Sequence, residues 1–336
     1  MLYLKLKYLV QGLSFSLLLS CNQNNTVQNP TARSTNHSES VNRTTVVVEE
    51  EEKQEEDTPP EVDYQLTNPD AKFKLPKELI EISGLTCYQD DWLVAVQDER
   101  GALFFIDINT GDTEEVIEFA ADGDYEGITS RKDLLYVLRA DGVLFKVDNW
   151  SDKDDINTEI INTNLGEINN TEGLVYDKRF DRFLIACKGS AIIGEDEHEF
   201  RSIYGLDAKA KKHTVKSAIA ISKQQCKDYI KEHLKEHLSY PFYHKAIKKS
   251  KKELFFQPSG IAIHPITQDY YILSAHGNTL MVMNRGKNIK QLYHLSTDMF
   301  EQPEGICFNS KGDLFIASEG LEKKARIYRF NYRSKR

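Results

Sequence analysis

The chain has 336 residues, with 43 basic and 52 acidic side chains and a formal net charge of −9. Apolar residues make up 40%, an ordinary globular level once glycine is added, which excludes a wholly disordered chain and a multi-span membrane protein. The acidic balance excludes general nucleic-acid binding, which needs a basic face to displace counterions.

The first sixty residues read as an address and a tether. Lys5 and Lys7 precede an apolar run, Tyr8 to Leu19, of export-signal length and too short to span a bilayer. The run ends Leu18-Leu19-Ser20-Cys21, which resembles the lipobox of bacterial lipoproteins. The resemblance implies a signal peptide over 1–20, a lipid on Cys21, and anchoring in the bacterial cell envelope at the outer membrane. Residues 22–62 hold nine acids against three bases and end in Pro59-Pro60. So little apolar surface cannot offset ordering entropy, so 21–62 is expected to be a lipidated cysteine followed by a disordered acidic tether.

The folded part, 63–336, is organised by an internal repeat. Ala71-Lys72-Phe73-Lys74-Leu75 is its first strand-like run. Five segments then begin alike: Ile82-Ser83-Gly84-Leu85-Thr86, Tyr125-Glu126-Gly127-Ile128-Thr129, Thr171-Glu172-Gly173-Leu174-Val175, Pro258-Ser259-Gly260-Ile261-Ala262 and Pro303-Glu304-Gly305-Ile306-Cys307. Each places a hydroxyl or acidic residue before a glycine and an apolar run, and the glycines lie 43, 46, 87 and 45 residues apart. Each start leads through polar turns to a second and a third strand, and four of the five lead to a fourth. Four short antiparallel strands in about 45 residues make a propeller blade. The last repeat ends after three strands, so the run at Ala71 is expected to supply the fourth and close the ring without open edges.

The gap of 87 residues could hold a sixth blade. However, Cys226, Tyr229, Ile230, Leu234 and Leu238 recur at helical spacing within 223–253, among nine lysines and four acids. The expectation is therefore an all-β, five-bladed propeller of four-stranded antiparallel blades, with a basic helical insertion after the third blade. A solvated helix face is the plain reading of the insertion; contact with the acidic rim or with anionic lipid is the alternative. His233-Leu234-Lys235-Glu236-His237 satisfies the His-x-x-Glu-His zinc-peptidase pattern. That pattern fixes only three positions, and no third ligand stands in a suitable downstream helix, so it reads as polar helix surface. Cys87, Cys187, Cys226 and Cys307 lack metal-ligand spacing; their even count in an exported chain permits disulfides, but free buried thiols filling a core are expected.

The repeat starts, Ala95-Val96-Gln97-Asp98-Glu99, Gln302-Pro303-Glu304-Gly305-Ile306 and Ala317-Ser318-Glu319-Gly320 resemble the SdiA-regulated family of bacterial envelope proteins, distant relatives of NHL-repeat propellers. The likeness covers roughly residues 70–331. It implies a five-bladed propeller with a bound calcium ion, and it implies no reaction.

In a meander blade the first strand lines the channel, and its start lies at the same end as the finish of the second strand. Ser83, Glu126, Glu172, Ser259 and Glu304 should therefore converge on one channel mouth, ringed by Asp98, Arg139, Lys188, Ala275 and Glu319. Crowded carboxylates either take up protons or bind a cation, and a hard cation with oxygen ligands suits such a ring. Calcium is the candidate cofactor, with Glu126, Glu172 and Glu304 as leading ligands and Asp98, Asp124 and Glu319 as further ones. The competing reading caps each glutamate on its own strand or pairs it with Arg139 or Lys188. Arg139, Lys188, Ser83, Ser259 and His276 are the candidate binding residues.

Two functions follow from these parts. The preferred one is a monomeric calcium-binding propeller that takes a small-molecule or protein ligand at the channel mouth and meets the membrane through its lipid. The alternative is a calcium-dependent hydrolase of lactonase or phosphoesterase type, with Asp98, His276 or Glu319 as base and Arg139 and Lys188 holding an anionic group.

Overall fold

The computed structural model describes residues 64–152, 155–189, 199–249, 255–321 and 324–333. The expected signal peptide, Cys21 and tether lie outside the described residues, as do 250–253 of the basic insertion. Strand β1 (Ala71–Lys74) comes first. The first blade is β2 (Ile82–Tyr88), β3 (Trp92–Gln97), β4 (Ala102–Asp107) and β5 (Thr113–Glu118). The second is β6 (Tyr125–Arg131), β7 (Leu134–Arg139), β8 (Leu144–Asp148) and β9 (Asn157–Ile161). The third is β10 (Thr171–Asp177), β11 (Arg182–Cys187), β12 (Phe200–Asp207) and β13 (Lys216–Ser222). Helices α1 (Lys223–His233) and α2 (Tyr240–Lys249) follow in the chain. The fourth blade is β14 (Gly260–Ile263), β15 (Tyr270–Ser274), β16 (Thr279–Met283) and β17 (Ile289–His294), and the fifth begins with β18 (Gln302–Phe308), β19 (Leu314–Glu319) and β20 (Arg326–Phe330).

The protein is an all-β, five-bladed propeller of four-stranded antiparallel sheets. The last sheet runs β1-β20-β19-β18, so the N-terminal strand completes the C-terminal blade. Ala71 faces Arg329 and Lys74 faces Arg326 across that closure. Because strand side chains alternate, every blade presents an apolar row to each neighbour. Five buried clusters result, one between each adjacent pair of blades. Residues such as Leu93, Val137, Ile185, Leu273 and Ile316 are fully buried in them, each contributing on the order of 2 kcal/mol.

Ser222 caps α1, its hydroxyl accepting from the Gln225 amide at 3.0 Å. Cys226, Tyr229 and Ile230 form the buried face of α1, which joins the cluster between the third and fourth blades. The Tyr229 hydroxyl donates to the Lys290 carbonyl, fixing the helix to the fourth blade. The helical pattern read across 223–253 is broken: α1 ends at His233, and turns separate it from α2. His237 therefore lies in a turn, its Nδ1 accepting from the Ser239 amide at 3.2 Å, and the His-x-x-Glu-His residues do not share one helix face.

Candidate functional site

The five repeat glycines border a confined space of about 10 Å³ in the channel, also lined by Glu126, Ser259 and Glu304. That is roughly the room of one water or ion. Among the described residues, positive backbone φ in glycine is confined to Gly111, Gly142, Gly277 and Gly312. The repeat glycines are thus required by close approach, not by a left-handed backbone. A Cβ on Gly260 would fall 2.2 Å from the Glu304 carbonyl oxygen, and one on Gly127 would fall 2.9 Å from that of Glu172. Lacking those carbons, the inner strands crowd together and bring their leading residues onto one mouth.

Glu172 and Glu304 are buried there, at 2% and 4% exposure, and Glu126 is half-buried. Lys188, the residue after β11, reaches Glu172 Oε1 at 3.0 Å. Burial first, and then repulsion from Glu172, Asp124 and Glu304, drives the Glu126 carboxyl far above the carboxylate range. Burial and repulsion from Glu172 do the same to Glu304, against the pull of Lys188. Glu172 is also raised by burial, with Lys188 opposing. Glu319 is pushed up to about 7 by burial and by Asp98 and Glu81. Asp98 is pushed up to about 6 by burial, then by Glu81, Glu99 and Asp124. The carboxylates anticipated at the mouth therefore do interact as one acidic group.

The other expected residues divide. Ser259 is fully engaged: its hydroxyl donates to the Pro303 carbonyl at 2.8 Å and accepts from the Ala275 amide at 3.1 Å. Ser83 donates weakly to the Glu81 carbonyl at 3.4 Å. Arg139 turns away from the glutamates and grips Asp141 with two bonds, at 3.0 and 2.8 Å. The two residues are two apart, and a guanidinium fork matches a carboxylate edge to edge. His276 is exposed after β15, where it forms an isolated antiparallel bridge with Gln257, and the strongest charge interactions of the carboxylates do not include it.

Of a second polar ring, only Asp124 was read in the sequence. Two residues before each repeat-start residue stand Glu81, Asp124, Asn170, Gln257 and Gln302. Glu81, Asp124, Asn170 and Gln257 lie just before their inner strands, Asn170 with a left-handed φ of 43°, and bulges follow at the starts of β2, β6, β10 and β18. Asn170 donates to Glu172 Oε1 at 2.8 Å, Asp124 lies close enough to raise the Glu126 carboxyl, and Gln302 close enough to lower those of Glu304 and Glu319. The spacing of two was the available signal. Beside this ring a hollow of about 370 Å³ opens between Asp124, Arg139, Asp141, Glu167 and Asn170.

The donor chemistry fits a hard cation: carboxylate and amide oxygens around a space of single-ion size. Glu304 Oε2 is buried with no hydrogen-bond partner, and so is Asp98 Oδ1. Among the described residues, no three His, Cys, Asp or Glu side chains are already drawn around a common point. Lys188 holds Glu172, so coordination requires the carboxylates to turn inward.

No curated protein matches the chain. Among solved structures, glutaminyl cyclase from Myxococcus xanthus is similar at 10% identity and TM-score 0.52, over 79% of this chain and 95% of that one. The PQQ-bound aldose sugar dehydrogenase of Streptomyces coelicolor is similar at 11% identity and TM-score 0.43, over 79% and 99%. At 10% identity, the likeness to the cyclase bears on the fold alone. The SdiA-regulated family model matches residues 64–330. With that span covering the whole propeller, the chain belongs to the SdiA-regulated family.

Proposed function

We propose that the protein is a calcium-binding envelope lipoprotein whose propeller is a binding module, with its ligand seated at the channel mouth. The observation that carries this reading is the buried acidic group at the constriction. Burial and mutual repulsion raise the carboxyls of Glu126, Glu172 and Glu304 against a single lysine, Lys188; ionised around a cation, the three would exceed that lysine by two negative charges, the charge of one divalent ion. Buried like charges either protonate or acquire a counter-ion. Glu126, Glu172 and Glu304 would hold the ion, with Asp124 and the orphaned Glu304 Oε2 completing the oxygen set. Calcium would neutralise the ring and staple neighbouring inner strands together. Gln302 and Asn170 orient the carboxylates, and the repeat glycines set the width of the space. A ligand would use the hollow beside Asp124 and Asn170.

The hydrolase reading needs a base and a cationic anchor beside the ion. Arg139 is neutralised by Asp141, which removes one of the two expected anchors and favours binding over turnover. The test is metal analysis of the purified protein, with calcium titration followed by thermal unfolding. One bound calcium per chain and a midpoint that rises with calcium are expected, and Glu126→Gln should abolish both. Lactone or phosphoester turnover lost with EDTA would replace the binding reading. No bound calcium, and no response to it, would refute the ion.

A further inference from the structure

Four cysteines lie in the described residues, and no disulfide joins them. Two of the four belong to one interface. Cys87 on β2 and Cys307 on β18 both pack into the cluster between the first and fifth blades. The repeat gives their relative placement. A Cβ on Gly305 would fall 2.7 Å from Leu85 Cβ, and one on Gly127 would fall 2.9 Å from Leu174 Cβ. The junction of blades five and one is therefore built like the junction of blades two and three. Two residues further along each strand, the same faces meet again. At the second junction those residues are Thr129 and Tyr176, which touch: Thr129 Oγ1 accepts from the Tyr176 amide at 3.1 Å. At the first they are Cys307 and Cys87. Both also border a hollow of about 170 Å³ within the channel, and Cys87 is only half-buried.

We propose that Cys87 and Cys307 are a disulfide-forming pair that locks the first blade to the last. The reaction is exchange with a disulfide-bonded oxidant. One cysteine thiolate attacks the oxidant's disulfide and forms a mixed disulfide. The second displaces the oxidant's remaining sulfur. Two electrons pass to the oxidant, which leaves as two thiols carrying the two protons, and one Cys87–Cys307 bond forms. The bond would close a loop of about 220 residues, the kind of constraint that most restricts an unfolded chain. It would join inner strands at the interface whose outer edge is closed by β1. The geometry holds wherever the chain resides; only the meeting with an oxidant in the cell rests on the proposed export.

Exchange should be slow and should quicken with pH. Burial pushes the Cys87 thiol up to about 12, and burial together with Cys87 holds Cys307 well above its ordinary value. The purified full chain is incubated with oxidised or reduced glutathione at about pH 9, where more thiolate is present. The oxidised sample should lose two titratable thiols and yield one cross-linked peptide pair containing Cys87 and Cys307. Its unfolding midpoint should rise by about 5–10 °C and return on reduction. Cys87→Ser and Cys307→Ser should each abolish the cross-link and the shift, whereas Cys187→Ser should keep both. Should Cys307→Ser fail to fold, a bifunctional thiol alkylator on the unaltered chain gives the same map, bridging Cys87 to Cys307. A folded chain that keeps both thiols after prolonged oxidation, that stops at glutathione on Cys87, or that cross-links another pair overturns the proposal.

Discussion

Replacing Gly260 with alanine tests the claim that the channel is narrow because five glycines let the inner strands touch. The new Cβ would meet the Glu304 carbonyl oxygen at 2.2 Å and Ile306 Cγ2 at 3.2 Å. A carbon and an oxygen rest about 3.2 Å apart or more, so one strand must move by roughly an ångström. The obstacle is backbone and has no rotamer to change. Overpacking of this kind costs about 3 kcal/mol, and the lower unfolded-state entropy of alanine returns about 0.5–1 kcal/mol. A net loss of about 2–3 kcal/mol lowers the unfolding midpoint by about 5–10 °C in a domain of this size. Gly166→Ala is the control: nothing lies within 4 Å of its added carbon, and its backbone is extended at φ −155°. It should be neutral or slightly stabilising. Thermal unfolding by circular dichroism with excess calcium, and again with EDTA, reads both variants. Gly260→Ala should also blunt the response to calcium, because β18 carries Glu304 out of place. A Gly260→Ala midpoint within about 2 °C of the parent would refute the argument, as would an equal fall in Gly166→Ala.

Three further outcomes are expected. Lys188→Met should leave Glu172 buried without its cation and cost about 2–3 kcal/mol in EDTA, less than a fully buried pair because the lysine side chain is 34% exposed; added calcium should recover more stability in this variant than in the parent. Burial lowers His264 to about 4, so its neutral form is the folded form; that stability is complete above pH 6.5 and falls away as pH drops toward 4, by about 3 kcal/mol in all. Urea unfolding at the two ends of that window should show a smaller loss in His264→Gln than in the parent. Asp177 is fully buried and takes Arg285 at 2.9 Å and Arg182 at 3.4 Å; Asp177→Ala should cost about 3 kcal/mol, whereas a comparable cut at the exposed Arg100–Glu118 pair should change the urea midpoint little.

The architecture was legible because the same physical demand recurs in every blade. A strand start that must approach its neighbour needs glycine, and five such starts announce five inner strands. The ring closure was legible too, since a repeat lacking its fourth strand must find one. The site was legible as composition and only partly as geometry. Glu126, Glu172 and Glu304 converge because they hold one position of the repeat. That Lys188 takes Glu172 while Arg139 takes Asp141 depends on rotamers, which no spacing encodes. Gln302 and Asn170 were missed because amides raise no charge argument, although their spacing from the glutamates marked them. The facing of Cys87 and Cys307, 220 residues apart, exists only once the ring has closed. The break in the helical insertion has a sequence cause that the apolar spacing hid: Pro241, in the first turn of α2, has no amide to bond the His237 carbonyl and crowds it, so one helix cannot run through 237–241.

The closure of the ring by β1 also gives the molecule a direction of mechanical weakness. A pull from the N-terminal side reaches the strand at Ala71, the pair nearest the load, and peels the four pairings of β1 from β20 one after another. Resistance therefore depends on what lies upstream. Tyr64 is buried among Tyr271, Phe308 and Tyr332, and its hydroxyl bonds to His264 and to the Gly312 carbonyl. Asp70 then grips Arg333 at 2.8 Å. Tension thus meets an aromatic clamp first, an ion pair second, and the seam last. The propeller stays shut for as long as Tyr64 holds.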